Sequence, residues 1–185
     1  MVFAHDAVHA LTAVADLVNT GPAAAGADRL DGLPALRAFT VRNRIGGAAP
    51  LTDADVAAAR ALRDRFHAVF RAADAAAAVP VVNEIVGRVR PAPRLTDHDG
   101  HPWHVHFSAP GAPLGEWLAA DCGMALAHVV AAGELERLRG CAAPGCERVL
   151  VDLSRNRCRR YCDSRTCGNR LHVAAYRARR REAAS

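Results

Sequence analysis

The sequence predicts an α+β protein with a predominantly α-helical N-terminal domain, one β-hairpin within it, and a small cysteine-rich module at the C-terminus. Hydrophobic residues make up 51% of the 185 residues but aromatic residues only 5%, so the core must consist mainly of Ala, Val and Leu packed on helices. Five of the six cysteines fall within residues 141–167. The change of composition at Gly140 predicts two domains, 1–139 and 140–185.

The first part of the chain predicts three helices joined by loops. Residues 5–19 place apolar side chains on one helical face, and residues 23–32, rich in Ala, Gly and Asp, predict a loop. A shorter helix is expected at 33–43. The longest helix is expected from Thr52, a good N-cap, to about Ala78, because its apolar residues form one stripe: Val56, Ala59, Leu62, Phe66, Val69 and Phe70.

The second part of the N-terminal domain combines helices with the hairpin. Pro80 predicts a break before a helix at 81–89, because proline lacks the backbone donor that a helix interior uses. Two short strands, 94–97 and 103–107, flank a turn-forming Asp-His-Asp-Gly sequence. A long helix is then expected from Pro113 towards Gly140, with Gly133 as a point of interruption.

The formal net charge of +5 is unevenly distributed along the chain. Residues 1–140 carry 13 Arg against 15 acidic residues and residues 141–185 carry 11 against 4, which gives net charges of −2 and +7. The basic character therefore belongs to the C-terminal module. No segment reaches the roughly 20 apolar residues of a membrane-spanning helix and the N-terminus lacks a basic start, so we expect no membrane association and a cytoplasmic, nucleoid-associated protein.

The cysteines of the C-terminal module form two pairs with identical spacing. Cys141 and Cys146 form one CxxxxC pair, and Cys162 and Cys167 form the other. Two such pairs predict one tetrahedral Zn²⁺ held by four thiolates, which leaves no open position and makes the metal structural. An iron–sulfur site and a set of unligated thiols are the alternatives.

The residues between the two pairs predict a zinc finger of treble-clef-like arrangement. Residues 148–153 predict a strand and 154–156 a turn, so that a β-hairpin would join the two half-sites. Cys167 is expected in the first turn of a helix. Cys158 is expected to be a small packed side chain, although it could also substitute as a ligand, and Cys122 is expected in the apolar core.

The tail CAAPGCERVLVDLSRNRCRRYCDSRTCGNRLHVAAYRARRR resembles the CGNR-type zinc finger, named for the residues that stand here as 167–170. Members pair this finger with an upstream helical ABATE domain, described as a stress-induced transcription regulator, and Asp16-Leu17-Val18-Asn19-Thr20 looks like an early motif of that domain. The resemblance implies zinc and suggests DNA binding. Cys158 departs from it, since relatives usually have Ser at that position.

The arginines of the module predict a surface for duplex DNA. Guanidinium groups suit phosphates and guanine edges, whereas the few aromatic side chains of the tail offer little for stacking single-stranded bases. We therefore expect a DNA-binding transcriptional regulator; the alternatives are a protein-interaction adaptor and an RNA-binding factor. Asn169 is expected to support the metal site, and the expected DNA contacts are Arg155, Arg157, Arg159, Arg160, Arg165, Arg170, Arg177 and Arg181.

The first 140 residues carry no catalytic motif, so we do not expect an enzyme. A small-molecule effector near Trp103 or Trp117, expected to be buried, and a homodimer are both compatible with the sequence. Four histidines cluster in the hairpin, and the favoured interpretation is an exposed polar hairpin rather than a metal site: His98, His101, His104 and His106. His5 and His9 form an i, i+4 pair on the first helix, which a metal could also use.

Overall fold

A computed structural model describes residues 5–46, 48–97 and 103–169, together with Val173 and Arg180. The N-terminal body is helical with one two-stranded antiparallel sheet, and a second such sheet leads into the cysteine-rich module. The helices of the body are α1 His5–Val18, α2 Pro22–Ala25, α3 Leu33–Arg42, α4 Asp53–Phe70, α5 Ala75–Gly87, α6 Leu114–Trp117 and α7 Gly123–Ala131. The strands are β1 Arg94–Thr96, β2 His104–His106, β3 Leu138–Gly140 and β4 Val149–Val151.

The predicted helix beginning at Thr52 is confirmed at its start but ends early. The Thr52 backbone N–H and hydroxyl both donate to the Asp55 carboxylate, at 2.8 and 2.7 Å, which fixes the first turn of α4. The helix ends at Phe70 rather than Ala78, because Asp74 caps a new helix by accepting a hydrogen bond from the Ala77 amide at 2.9 Å.

Pro80 lies inside α5, so the predicted break there is wrong. A proline within a helix removes one backbone hydrogen bond and crowds the preceding turn. The helix nevertheless continues because one of its faces, formed by Ala78, Val82 and Ile85, is buried in the core. The predicted loop at 23–32 is also wrong at its first residues, where Pro22 begins the one-turn helix α2 and Gly26 ends it with a φ of 79°.

The long helix predicted after Pro113 is divided. Helix α6 passes through one π-helical turn, Leu118–Cys122, into α7, which ends at Ala131. Gly133 then takes a left-handed φ of 68°, and the chain continues as a short 3₁₀ turn and strand β3. The prediction of helix beyond Gly133 is therefore wrong, because Leu138 pairs with Val151 in a β-ladder.

The predicted hairpin is confirmed. Strands β1 and β2 pair antiparallel, with Leu95 opposite Val105, while residues 98–102 of its turn lie outside the described residues. Trp103 is 70% exposed, so the expectation that it is buried is wrong, whereas Trp117 is 5% exposed.

One apolar core unites the helices with the strands that lead into the module. Leu11, Val14 and Leu17 of α1 are fully buried at its centre, and Cys122 joins this core as predicted. The same cluster includes Leu138 of β3 together with Val149 and Val151 of β4. Among the described residues, no helix combines the length and hydropathy needed to cross a membrane.

Candidate metal centre

Four cysteine sulfurs form a compact cluster at the end of the β3–β4 hairpin. The Sγ atoms of Cys141, Cys146, Cys162 and Cys167 all lie within 4.8 Å of one another. The Cys146–Cys162 pair is 3.9 Å apart, and Cys167 lies 3.7 Å from each of these two. A tetrahedral ion with Zn–S bonds of about 2.3 Å requires sulfurs about 3.8 Å apart. The cluster therefore fits one structural zinc ion.

The first cysteine pair lies in the loop between β3 and β4. The Cys141 amide donates to the Arg148 carbonyl at 2.8 Å, which extends the ladder of the hairpin to the first sulfur. Gly145 has a φ of 70°, in the region that favours glycine, and the Cys146 amide donates to the Ala143 carbonyl at 3.1 Å. This tight turn returns the chain and brings the two sulfurs to the same side.

The second pair is held by a short π-helical turn, Ser164–Gly168, which begins two residues after Cys162. Asp163 fixes its start, because the carboxylate accepts hydrogen bonds from the amides of Arg165 and Thr166 at 2.7 and 2.8 Å. Cys167 lies in this turn and is buried. A helical turn therefore carries the last sulfur, and the chain beyond Asn169 lies outside the described residues except at Val173 and Arg180.

The predicted hairpin between the two half-sites is wrong. Strand β4 pairs with β3, which precedes the first cysteine pair, and not with any described residue that follows β4. Asp152 holds the returning segment instead. Its fully buried carboxylate accepts hydrogen bonds from the amides of Ser154 and Arg159, at 3.0 and 2.9 Å. Burial alone would raise the pKa of Asp152, but these hydrogen bonds outweigh it and hold the pKa below its ordinary value.

A buried arginine supports the same segment from the other side. Arg137 is 1% exposed, and its guanidinium donates to the carbonyls of Asp152 and Ser154 at 2.8 and 2.9 Å. The Glu134 carboxylate forms an ion pair with it, with Oε2 of Glu134 2.6 Å from Nε of Arg137. Because the buried guanidinium of Arg137 is both ion-paired and hydrogen-bonded, it fixes the turn after β4 before the chain reaches the second cysteine pair.

The thiols of the cluster differ in acidity because they crowd one another. Burial and the neighbouring Cys167 and Cys141 sulfurs raise the pKa of Cys162 well above its ordinary value. Burial also acts on Cys141, but backbone hydrogen bonds from Cys162 and Ala143 outweigh it and lower its pKa. Four thiolates cannot share this space without a compensating cation, which a divalent ion supplies.

The two remaining cysteines lie outside the cluster. Cys158 is exposed, so the expectation of a packed side chain is wrong; its sulfur lies 3.7 Å from the Ser154 hydroxyl. Its sulfur does not belong to the cluster of four, so the structure gives Cys158 no part in the ligand set. Cys122 is fully buried, and burial raises its pKa well above the ordinary value.

The arginines near the cluster divide into two groups. Arg157 forms ion pairs with Glu134, at 2.8 Å, and with Glu136. Arg159 donates to the carbonyl of the metal-site residue Cys162 at 2.7 Å. Within the described part of the chain, the other exposed guanidinium groups form no ion pair: Arg155, Arg160 and Arg165.

Several predicted site residues lie at or beyond the edge of the described structure. Asn169 is exposed, and within the described residues its side chain makes no hydrogen bond to a cysteine sulfur. Its expected supporting role stays a prediction. The expected DNA contacts Arg170, Arg177 and Arg181 lie outside the described residues.

Sequence reasoning missed the residue that joins the helical body to the finger. The Asn19 side chain donates to the Val149 carbonyl at 2.9 Å and accepts from the Val149 amide at 2.8 Å. These two bonds imitate a neighbouring strand on the edge of β4. The Asp-Leu-Val-Asn-Thr sequence at 16–20 was the available signal, because a polar Asn directly after two buried residues needs a partner.

Sequence reasoning also underestimated the histidines of the hairpin. His104 and His106 share one face of β2, with ring centroids 5.0 Å apart. The side chain of His106 is only 14% exposed, and its Nδ1 lies 3.2 Å from a carboxylate oxygen of Asp121. The prediction of an exposed polar hairpin is therefore wrong for His106.

The fold and the four-sulfur centre together define a helical protein with a C-terminal structural zinc finger. Residues 137–180 match the family model of the CGNR zinc finger. Residues 11–133 match the ABATE family model, described as "Putative stress-induced transcription regulator". The chain belongs to the ABATE family. Both descriptions name a regulator or a zinc finger rather than an enzyme, and no curated protein matches the chain.

Proposed function

We propose that this protein regulates transcription by binding duplex DNA through its zinc finger. The observation that carries the proposal is the group of exposed arginines in the finger, Arg155, Arg160 and Arg165, in a module whose residues 141–185 have a net charge of +7. Such groups bind phosphates and release their counterions. The zinc would hold the surface in one geometry without taking part in any chemistry.

The two groups of arginines would have different roles in this interface. Arg157 and Arg159 are engaged with glutamates and with backbone carbonyls, so they would hold the finger in shape. Arg155, Arg160 and Arg165 would contact phosphates. The arginines beyond the described residues, Arg170, Arg177 and Arg181, would extend the surface along the C-terminal segment.

The helical domain would regulate DNA binding by the finger. The protein would act in the cytoplasm, in association with the nucleoid. Asn19 and the shared apolar core join α1 to β4, and β4 precedes the turn that carries Arg155. An effector bound in the helical domain would reach the finger through α1. Dimerisation through the same domain would add the second contact that one small finger needs for tight binding.

Fluorescence anisotropy with a labelled duplex from the gene's own upstream region tests the interface. We expect Arg155→Ala to weaken binding and to reduce the slope of log K against log salt by about 0.9, which corresponds to one phosphate contact. Arg37→Ala, which removes an exposed arginine from α3, is the matched control and should change neither value.

Three outcomes would contradict the proposal. Equal losses for Arg155→Ala and Arg37→Ala would mean that only overall charge matters. Tighter binding to a matched single strand than to the duplex would favour the RNA-binding alternative. Absence of binding to either nucleic acid at low salt would favour a protein-interaction adaptor, in which the same arginines contact an acidic partner.

A further inference from the structure

A cavity in the helical domain brings together two histidine pairs that are far apart in the sequence. The cavity has a volume of about 580 Å³ and lies between α1, the end of α3 and strand β2. His5 and His9 line it from α1, and His104 and His106 line it from β2. None of these residues belongs to the zinc finger or to the proposed DNA surface.

Each pair has the spacing of a chelating pair. Residues i and i+4 lie one above the other on a helix, which is how two helical histidines hold one ion. Residues i and i+2 share one face of a strand. The rings of His104 and His106 have centroids 5.0 Å apart, and two imidazoles on one ion with N–metal bonds of about 2.1 Å have centroids about 5 Å apart.

The carboxylate of Asp121 gives the strand pair the orientation typical of metal-binding histidines. Its side chain is 8% exposed and accepts hydrogen bonds from the amides of Phe107 and Ser108, at 2.9 and 3.1 Å. The same carboxylate lies 3.2 Å from Nδ1 of His106. A carboxylate on one ring nitrogen fixes the ring and makes Nε2 the nitrogen that would coordinate an ion.

We infer that this cavity is a second metal site, in which His5, His9, His104 and His106 bind one divalent transition-metal ion and Asp121 positions His106. Imidazole nitrogens with a nearby carboxylate favour Zn²⁺, Ni²⁺, Co²⁺ and Cu²⁺ over Mg²⁺ or Ca²⁺. Among the described residues, the four sulfurs of the finger are the only group of three or more potential ligand atoms that lie within 4.8 Å of one another, so the two histidine pairs are farther apart than ligands of one ion. The proposal therefore requires the hairpin and α1 to move closer together when the ion binds.

Calorimetric titration of Ni²⁺ into the zinc-loaded, untagged full-length protein tests the site. We expect one Ni²⁺ per chain while elemental analysis shows that the finger keeps its zinc. His9→Gln and His104→Gln, one from each pair, should each weaken Ni²⁺ binding at least about 10-fold, and Asp121→Asn by about 10-fold to 100-fold. His67→Gln, on α4 and outside the cavity, is the matched control and should bind Ni²⁺ normally.

Either of two results would overturn the inference. One is the absence of any Ni²⁺ beyond the metal of the finger. The other is a response confined to one pair, for example full binding by His104→Gln with loss in His9→Gln, which would leave a surface chelate on α1 only. Circular dichroism of each variant separates loss of binding from loss of folding, and His104→Gln leaves the contact of His9 with the Asn43 carbonyl intact.

Discussion

Replacement of Asn19 by alanine removes the clamp between the helical body and the finger. In the β3–β4 ladder, the Cys141 amide donates to the Arg148 carbonyl and the Asp152 amide donates to the Arg137 carbonyl. Because hydrogen-bonded and non-hydrogen-bonded pairs alternate in an antiparallel ladder, the amide and carbonyl of Val149 face away from β3. Asn19 is their partner, and Val149 is 4% exposed. Two hydrogen bonds of about 1 kcal/mol each, together with the cost of leaving buried groups unpaired, give a loss of about 3 kcal/mol.

Thermal unfolding of the zinc-loaded protein measures this loss. For a chain of this length, about 3 kcal/mol corresponds to a fall in Tm of roughly 6–12 °C. Hydrogen exchange adds a local readout, because the Val149 amide should exchange faster in Asn19→Ala. Asn83→Ala, at an exposed position of α5, is the control and should not lower Tm. A fall of less than about 2 °C in Asn19→Ala would refute the reasoning.

Three further predictions concern the metal centre, the pH dependence and the buried scaffold of the finger. Cys162→Ser should abolish stoichiometric zinc while Cys158→Ser retains it, by elemental analysis; the reverse would refute the ligand set. Hydrogen bonding from Arg63 lowers the pKa of Asp28 from 3.8 to about 2, so its contribution to stability is present above pH 4 and is lost as the pH falls to 2. The stability difference between the natural protein and Asp28→Asn, measured by urea unfolding, should shrink over this range; a constant difference would contradict the ion pair. Asp152→Ala should lower Tm by more than about 5 °C, because it removes the buried acceptor of the Ser154 and Arg159 amides, and an unchanged Tm would show that these amides find other partners.

The metal centre is the part of the molecule that the sequence predicts best. Two cysteine pairs of equal spacing predict a four-thiolate site, because four thiolates that bind one ion must lie close together whatever the conformation of the segment between the pairs. Pro144 and Gly145 also signal the turn locally, and Gly145 has the positive φ that such a turn uses. The four ligands and the turn between Cys141 and Cys146 could therefore be predicted from the local sequence.

The pairing of β4 was not predictable in the same way. The apolar run at 149–151 indicates a strand, but its partner depends on where the chain before Cys141 lies. The helical periodicity extends to Leu138, and only the core, to which Leu138 contributes together with Val149 and Val151, decides for a strand. The prediction of a helix break at Pro80 is wrong for a related reason, because the burial of one face of α5 outweighs the lost hydrogen bond.

The roles of individual polar residues depend on contacts that sequence spacing does not reveal. The partner of Asn19 is 130 residues away along the chain. Arg157 and Arg155 look equivalent in the sequence, yet only Arg157 reaches the glutamates that follow α7. The charge of the module was therefore predictable, whereas the division between structural and available arginines required the fold.

The central claim is that zinc folds a surface that binds duplex DNA. Anisotropy of the upstream duplex, titrated with zinc-loaded and with chelator-stripped protein in the presence of a mixed-sequence competitor, tests it most directly. The account predicts salt-dependent binding by the zinc-loaded protein that resists the competitor, and loss of that binding when zinc is removed. Equal binding with and without zinc, or no binding by the zinc-loaded protein at low salt, would contradict it.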